Sequence, residues 1–551
     1  MTKILFIMPP NITFDSFINP SESERTGGKG KYGSVLTDPP LGILSMSAYL
    51  KKNIKDIEVK FIDYNVLLNK TTDFNASDPY AFFYSALKEY TTYNPDIVAI
   101  SSLFSPSYKH LLDIGKLVKE MFQYSIIIAG GGIPTNLYER IFKESNCFDA
   151  LCYGEGEIPL LELVKAEDRF SWLTFSSSWI TRDKVEHKQE FKHSFIENLD
   201  EIPFLDYGLL NLEDYKISPI LSLFPLAPKG KRGMSVITSR GCTHHCCFCS
   251  SHTVHGRKMR YQSLMSIRED FTILKERYGA EVLVFFDDHL MSDKKRAHEI
   301  FNIMRDLELT AFFPSSLALY ALDYEMLSDL KSIGVDELVL SVESGSNRVL
   351  KEIMHKPLNL DIVKRVVSDC RKLDIASDVY VLMGLPGETL KDIEDARQFL
   401  KTTGASWTHI NIATPLVGSE MLDICMKNGY IKRDYIDCNY KKAIVTTPDF
   451  TAEDIQEVTY SLNLELNFVE NSDMKLGNYE VALKEFENVI KIKSDHAFAL
   501  YYAAKCCGEL GLHLSYSAYM EKYLEVERTS SFWGWYIDQY NLPRSKERNY
   551  E

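Results

Sequence analysis

The chain has 551 residues, more than one ordinary core holds, so two to four domains are expected. Its net charge of −15 (62 Lys and Arg against 77 Asp and Glu) with no basic block excludes the general nucleic-acid binders, which need a cationic footprint. No apolar run approaches the ~18 residues of a membrane span. The eleven cysteines, and an apolar start that stops at Pro9-Pro10, predict a reducing, cytoplasmic setting rather than export.

In the first third, short apolar runs alternate with helical stretches. Strands are predicted at Lys3–Met8, Glu58–Asp63, Ile97–Ser101, Ser125–Ala129 and Ala150–Tyr153. Helical periodicity covers Gly42–Asn53, Pro106–Phe122 and Glu157–Val164. This alternation predicts a Rossmann-like, doubly wound parallel sheet with helices on both faces, which binds ligands at the carboxyl ends of its strands. Three turns fall there: Pro9-Pro10-Asn11, Gly130-Gly131-Gly132 and Gly154-Glu155-Gly156-Glu157. Glycines at such ends let backbone approach a flat or phosphate-bearing ligand, or simply make tight turns. The dinucleotide fingerprint is absent: the glycine triplet lacks the third glycine in place and does not follow the first strand.

In the middle third, strand-like runs alternate with helices again, at Ser235–Ser239, Val282–Asp287, Phe312–Ser316, Glu337–Ser341, Asp378–Met383 and His409–Ala413. Six units are too few to close an eight-stranded barrel, so a partial (β/α)6 barrel is expected. After its first run comes Ser239-Arg240-Gly241-Cys242-Thr243-His244-His245-Cys246-Cys247-Phe248-Cys249. Three thiolates at C-x3-C-x2-C spacing can hold three irons of a cubane and leave the fourth open to a small molecule. A structural zinc site completed by His244 or His245 is the alternative, and a disulfide a weaker one. Other motifs also sit at strand ends: Asp287-Asp288-His289, Glu343-Ser344-Gly345-Ser346, Gly384-Leu385-Pro386-Gly387-Glu388 and Pro415-Leu416-Val417-Gly418.

The cysteine loop with its Ser-Arg-Gly lead and the Val342–Ser346 and Gly384–Thr389 signatures resembles the radical S-adenosylmethionine (SAM) enzymes over residues 232–430. The upstream sheet, with Pro39-Pro40-Leu41-Gly42, Asn94-Pro95-Asp96, Gly130–Pro134 and Tyr153–Glu157, resembles the cobalamin-binding class of that family. The resemblance implies Cys242, Cys246 and Cys249 as ligands of a [4Fe-4S] cluster and places Phe248 near the adenine of SAM. It implies Glu343, Asp287, Asp288 and the turn with Gly384, Pro386 and Gly387 as further SAM contacts, although the family's Gly-Gly-Glu is missing at 287–288. The remaining readings are turn or helix-capping carboxylates for Glu343, Asp287 and Asp288. It implies Gly130, Gly131, Gly132, Gly154, Glu155 and Gly156 as cobalamin contacts, without the D-x-H-x-x-G motif that would supply a lower cobalt ligand. Methylthiotransferases are set aside because only Cys147 and Cys152 precede the loop, one short of their second cluster's need.

The implied activity is reductive cleavage of SAM to a 5′-deoxyadenosyl radical and cobalamin-dependent methylation of an unactivated carbon in a small molecule or peptide. The alternatives are a cobalamin-dependent cyclase, oxidase or rearrangement enzyme without methyl transfer and, more distantly, a non-catalytic metal scaffold. Implied partners are an external one-electron reductant of the flavodoxin or ferredoxin type and the substrate, near which Tyr320, Tyr380 and Asn411 are candidates. The expected domains are 1–175 for cobalamin, 176–231 as linker, 232–430 for the barrel, and a helical region over 431–551. Within the last, residues 470–527 resemble a tetratricopeptide hairpin, because Gly511 follows Gly477 by that repeat's 34 residues. An ordinary helical hairpin and a protein-partner site are both open there, and the aromatic run Phe532–Tyr536 is expected to dock on a neighbouring surface or a partner.

Overall fold

The computed structural model describes residues 1–20, 31–35, 37–75, 78–215, 228, 230–314, 317–437 and 442–544. It divides into two compact units: Met1–Leu221 with Gly230–Ser315 and Thr414–Asn439, and Ser222–Lys229 with Ser316–Ala413 and Tyr440–Glu551.

The first unit opens with β1 (Thr2–Met8), β2 (Ile57–Asp63), β3 (Ile97–Ser101), β4 (Ile126–Gly130), β5 (Ala150–Cys152) and β6 (Trp179–Ile180). They form one sheet in the order β2-β1-β3-β4-β5-β6, parallel except where β6 runs against β5. Its central strands are apolar on both faces because both faces are covered. Leu5, Ile7, Val98 and Ile100 enter one core, while Ile4, Phe6, Ile97 and Ala99 enter the other, as a two-residue side-chain period requires. The order reverses between β1 and β3, which opens a crevice at their carboxyl ends.

The same unit continues with β7 (Gly233–Val236), β8 (Ser239–Arg240), β9 (Arg260–Tyr261), β10 (Val282–Phe285) and β11 (Thr310–Phe312). β7, β10 and β11 make a parallel sheet in the order β11-β10-β7, and β8 and β9 make a small antiparallel ribbon. The helix Leu264–Tyr278 starts where the Ser263 side chain accepts from the Ser266 amide, and ends at Gly279 in the left-handed conformation.

The second unit holds β12 (Glu337–Glu343), β13 (Ala376–Met383) and β14 (Trp407–Ile412), parallel in that order. All six expected strands are therefore present, paired as two sheets of three. The strand expected at Phe312–Ser316 lies earlier, at Thr310–Phe312, because Pro314 offers no amide donor to a ladder; residues 315–316 lie outside the described set.

The helices Ala452–Leu464, Tyr479–Ile492, Ala497–Glu509, His513–Thr529 and Ser531–Gln539 follow. They pack round Phe468, Phe486, Phe498 and Trp533. Gly477 (φ 79°) and Gly511 (φ 71°) both turn the chain shortly before a helix, so the 34-residue spacing recurs as one turn used twice. Within the aromatic run, Trp533 is buried in this chain's own core, whereas Phe532 and Trp535 are exposed.

Candidate functional site

The cysteine loop runs between β8 and β9. Ten free cysteines are described, and Cys242, Cys246 and Cys249 alone among them are not buried. Cys247, between two of them, faces inward, and burial pushes its thiol up to about 12. Burial raises the Cys242 thiol as well, so it is accessibility rather than acidity that sets the three half-exposed thiols apart as the metal-competent ones. Three thiols on one loop suit a cluster that gives each thiolate its own iron. Phe248 is half-buried beside Cys249.

The loop is tied down at many points. Cys242 N–H donates to the Gly256 carbonyl at 3.3 Å, Cys249 N–H to the Cys246 carbonyl at 3.1 Å, and Met421 N–H to the Cys247 carbonyl at 2.9 Å. Arg257 donates to the His244 carbonyl. Gly241 has φ 92°, and a Cβ there would lie 2.4 Å from the Lys258 carbonyl oxygen, so the loop's two ends meet as only glycine allows.

Asp287 and Asp288 divide their work. Asp287 is buried and accepts from the Thr238 amide, the Thr238 hydroxyl at 2.8 Å and the Ser239 hydroxyl at 2.6 Å, which fixes the chain just before the cysteines. Burial raises its pKa despite those donors. Asp288 is exposed next to it. Neither caps the following helix; Asp293 does, accepting from the Arg296 amide at 3.0 Å.

At the carboxyl edge of the first sheet, Gly131 has φ 102° and a Cβ on it would meet the Ser102 carbonyl oxygen at 2.5 Å; Gly130 and Gly132 flank it, half-buried. Gly154 has φ 85° and leaves no space for a Cβ against His193, and a Cβ on Gly156 would meet Met46 Sδ at 2.6 Å. Glu155, read as a ligand contact, is instead buried with both oxygens occupied by Arg240, Arg260 and His255. Two residues that sequence reasoning missed stand at the switch between β1 and β3: Leu103 and Phe104, 57% and 53% exposed, with the Leu103 carbonyl oxygen 3.3 Å from where a Gly132 Cβ would be. Exposed apolar side chains beside side-chain-free backbone suit a broad, flat, largely apolar ring such as a corrin. The signal was available, since Leu-Phe directly after a buried strand is costly to expose without a ligand.

The second unit brings its own residues to strand ends. Glu343 closes β12 with φ 66°, a left-handed conformation unfavourable for a residue with a Cβ, at a register shift in the ladder with β13. Its carboxylate is 3.3 Å from Lys356 Nζ, so it pairs with a cation rather than capping a turn. Gly384 (φ 92°) and Gly387 (φ 89°) shape the turn after β13, with Pro386 between them. Glu388 folds back under that turn, accepting from the amides of Gly384 at 2.7 Å and Leu385 at 3.1 Å, and burial pushes its pKa up to about 7. Tyr380 lies edge-on to His409, whose Nε2 is 2.7 Å from Asp378 Oδ2. Asn411 is half-buried one turn of the pleat further along β14, and Tyr320 is exposed.

Comparison with known proteins now adds family and fold. Residues 236–400 match the radical SAM superfamily and residues 34–164 the B12 binding domain. The chain is 27% identical over 476 residues to the cytidylyl-2-hydroxyethylphosphonate methyltransferase of Streptomyces wedmorensis, covering 78% of this chain and 86% of that one. It is also 27% identical over 462 residues to an uncharacterized methyltransferase of Pyrococcus horikoshii, covering 83% and 90%. In structure it is similar to OxsB, a cobalamin-dependent SAM radical enzyme (TM-score 0.63, 15% identity, 99% of this chain and 82% of that one). It is similar as well to the radical SAM methyltransferase TsrM of Kitasatospora setae, solved with cobalamin and a [4Fe-4S] cluster (TM-score 0.58, 14% identity, 96% and 100%). The expected fold class, a Rossmann-like sheet, a radical SAM partial barrel and a helical C-terminal region, holds. The chain carries a radical SAM domain and a B12 binding domain, in a fold similar to that of the cobalamin-dependent radical SAM enzymes, and the cofactors these domains imply are a [4Fe-4S] cluster, S-adenosylmethionine and cobalamin.

Proposed function

We propose that this enzyme methylates an unactivated carbon of a small organic molecule. When bound, the cofactors supply an electron-triggered deoxyadenosyl radical and a transferable methyl group. Cys242, Cys246 and Cys249 hold the cluster; the half-exposure of these three thiols, against the burial of every other described cysteine, is the observation that carries the reading. Phe248 and Asp288, in the same unit as the cluster loop, receive SAM; in the second unit, Glu343 with its Lys356 partner and the Gly384–Gly387 turn are the strand-end groups that match the family's SAM-binding motifs. Asp287 acts one step back, by fixing Thr238 and Ser239. Gly130–Gly132 with Leu103 and Phe104 receive the corrin, within a cobalamin domain that includes β6 (Trp179–Ile180) and so extends past the expected boundary at 175; a linker follows up to 231, then a barrel over 232–430. Tyr380, which burial and the nearby carboxylates keep protonated, offers the substrate a hydroxyl rather than a phenolate.

Methyl transfer is preferred over cyclisation because the two methyltransferases match 78% and 83% of this chain, while an anaerobic magnesium-protoporphyrin IX monomethyl ester cyclase of Rubrivivax gelatinosus matches 60% at 23% identity. The methyltransferase of Streptomyces wedmorensis acts on a cytidylyl-linked hydroxyethylphosphonate, so phosphonates and nucleotide-linked small molecules are the first substrates to try. The electron comes from a flavodoxin- or ferredoxin-type donor in the cytoplasm. Among the described residues no helix is long and apolar enough to cross a membrane.

The test is anoxic reconstitution with iron, sulfide and hydroxocobalamin, then incubation with reductant and methyl-labelled SAM. Deoxyadenosine formation and label in the product support the reading. Product carrying no label, with all of it left in methionine, rejects methyl transfer.

A further inference from the structure

The cysteine loop is clasped by the β8–β9 ribbon, in which Arg240 and Arg260 are the paired residues. Two cations facing each other across strands repel. Here both are turned onto one buried carboxylate. Glu155 Oε2 accepts from Arg260 Nη1 at 2.8 Å and Arg240 Nη1 at 3.1 Å, and Oε1 accepts from Arg260 Nη2 at 2.6 Å and lies 2.8 Å from His255 Nδ1. Arg240 also donates to Glu157 Oε1 at 2.8 Å, which accepts from Ser45 at 2.6 Å. Arg260 adds the carbonyls of Ile196 and His255, and its guanidinium lies over the Phe195 ring at 4.2 Å.

Arg240 stands two residues before Cys242, and His255 and Arg260 stand after Cys249. Glu155 belongs to the Gly154–Glu157 turn of the first sheet. A second tie runs parallel: Asn136, in the helix that starts at Gly132, donates to the Thr253 hydroxyl at 2.9 Å, and His193, against Gly154, lies 2.8 Å from the Thr253 carbonyl. Both glycine turns of the sheet therefore grip the segment that follows the third cysteine.

We infer that Glu155 is a positioning residue that locks both ends of the cluster loop to the glycine turns of the cobalamin domain, rather than a contact to either cofactor. The inference rests on the proposed function for the identity of those two sites. One buried carboxylate with four donors sets the separation and register of the loop's ends, and hence where the three thiols converge. By linkage, whatever steadies the glycine turns also steadies the loop.

Amide hydrogen exchange on the full-length, anoxically reconstituted chain tests this, with Glu155→Gln and Glu155→Asp beside the wild type. In E155Q, exchange across residues 241–259 should rise about a hundredfold or more, the scale of breaking a buried ion pair, while peptides from β1 and β3 keep wild-type protection. E155D should fall between. The electron paramagnetic resonance spectrum of the reduced cluster should broaden in E155Q at equal iron content, which a remote packing defect would not produce. Hydroxocobalamin should slow exchange of 241–259 in the wild type and not in E155Q. Wild-type protection of that segment in E155Q overturns the inference. If E155Q does not fold, Arg260→Lys, which keeps the charge and removes the fork, decides in the same way. A wild-type chain that neither retains corrin nor cleaves SAM would sink the proposed function and leave the exchange comparison valid.

Discussion

The cysteine loop and the C-terminal helices solve the problem of order by opposite means. Between β8 and β9, few apolar side chains are available, and position comes from buried ions and backbone bonds: Glu155 with its cations, Asp287 with Thr238 and Ser239, Gly241 against Lys258. In the helices, Trp533, Phe486, Phe498 and Phe468 share one apolar core, and ion pairs such as Arg397–Glu465 are additions to it rather than its basis. Directional bonds fix atoms to a fraction of an ångström but depend on every partner being present. Aromatic packing is stronger in sum and more forgiving in detail. A loop that must present three thiols in one geometry needs the first kind; a region that must only stay folded can use the second.

That contrast can be broken from either side. The largest effect should come from Cys246→Ala: iron content falls well below that of the wild type, deoxyadenosine formation drops below detection, and the thermal midpoint of the helices is unchanged. Trp533→Ala should do the reverse, costing about 3–5 kcal/mol in denaturant unfolding while iron loading is retained. Gly131→Ala puts a Cβ 2.5 Å from the Ser102 carbonyl oxygen at a φ only glycine favours. It should cost roughly 1–3 kcal/mol and lower retention of hydroxocobalamin on a desalting column.

Acid sharpens the comparison further. His496 caps the helix Ala497–Glu509 by accepting at Nδ1 from the Ala499 amide at 3.1 Å, and burial lowers its pKa from 6.5 to about 3. In the first unit, burial lowers His110 to about 4, with Nε2 held by the Ile12 carbonyl. Both are neutral when folded, so between pH 6.5 and their folded values the unfolded chain binds more protons, and stability falls as pH falls. Glu388, raised to about 7, works the other way, gaining stability as it takes up a proton below that pH. Between pH 7 and pH 5 the melting temperature of His496→Gln should therefore shift towards greater acid stability relative to the wild type, because the variant lacks the histidine loss while Glu388 is unchanged. Smallest in stability is Leu103→Asp, expected within about 0.5 kcal/mol because the side chain is exposed. Its effect should appear in weakened corrin binding.

Much of this was legible in the chain itself. The alternating strands and helices of the first sheet follow from buried runs such as Ile97–Ile100, and the cysteine spacing named the loop, because both are local patterns. What was not legible depends on distant partners. Glu155 reads as a ligand contact until Arg240 and Arg260 are seen to converge on it from across 85 and 105 residues. Asp287 reads like Asp288 until Thr238 and Ser239 claim it. Trp533 reads as a docking residue until His496 and Phe498 are found against it. Leu103 and Phe104 are half-legible: an apolar pair directly after a buried strand is a local pattern, but its exposure belongs to the fold.

The inward turn of Cys247 has a consequence for assembly. Two adjacent thiols offer incoming iron two registers, one of them wrong, and offer oxidants a ready vicinal pair. By sinking its thiol and holding its carbonyl on the Met421 amide, the chain withdraws the spare sulfur from both reactions. Maturation of the cluster then has one way to proceed.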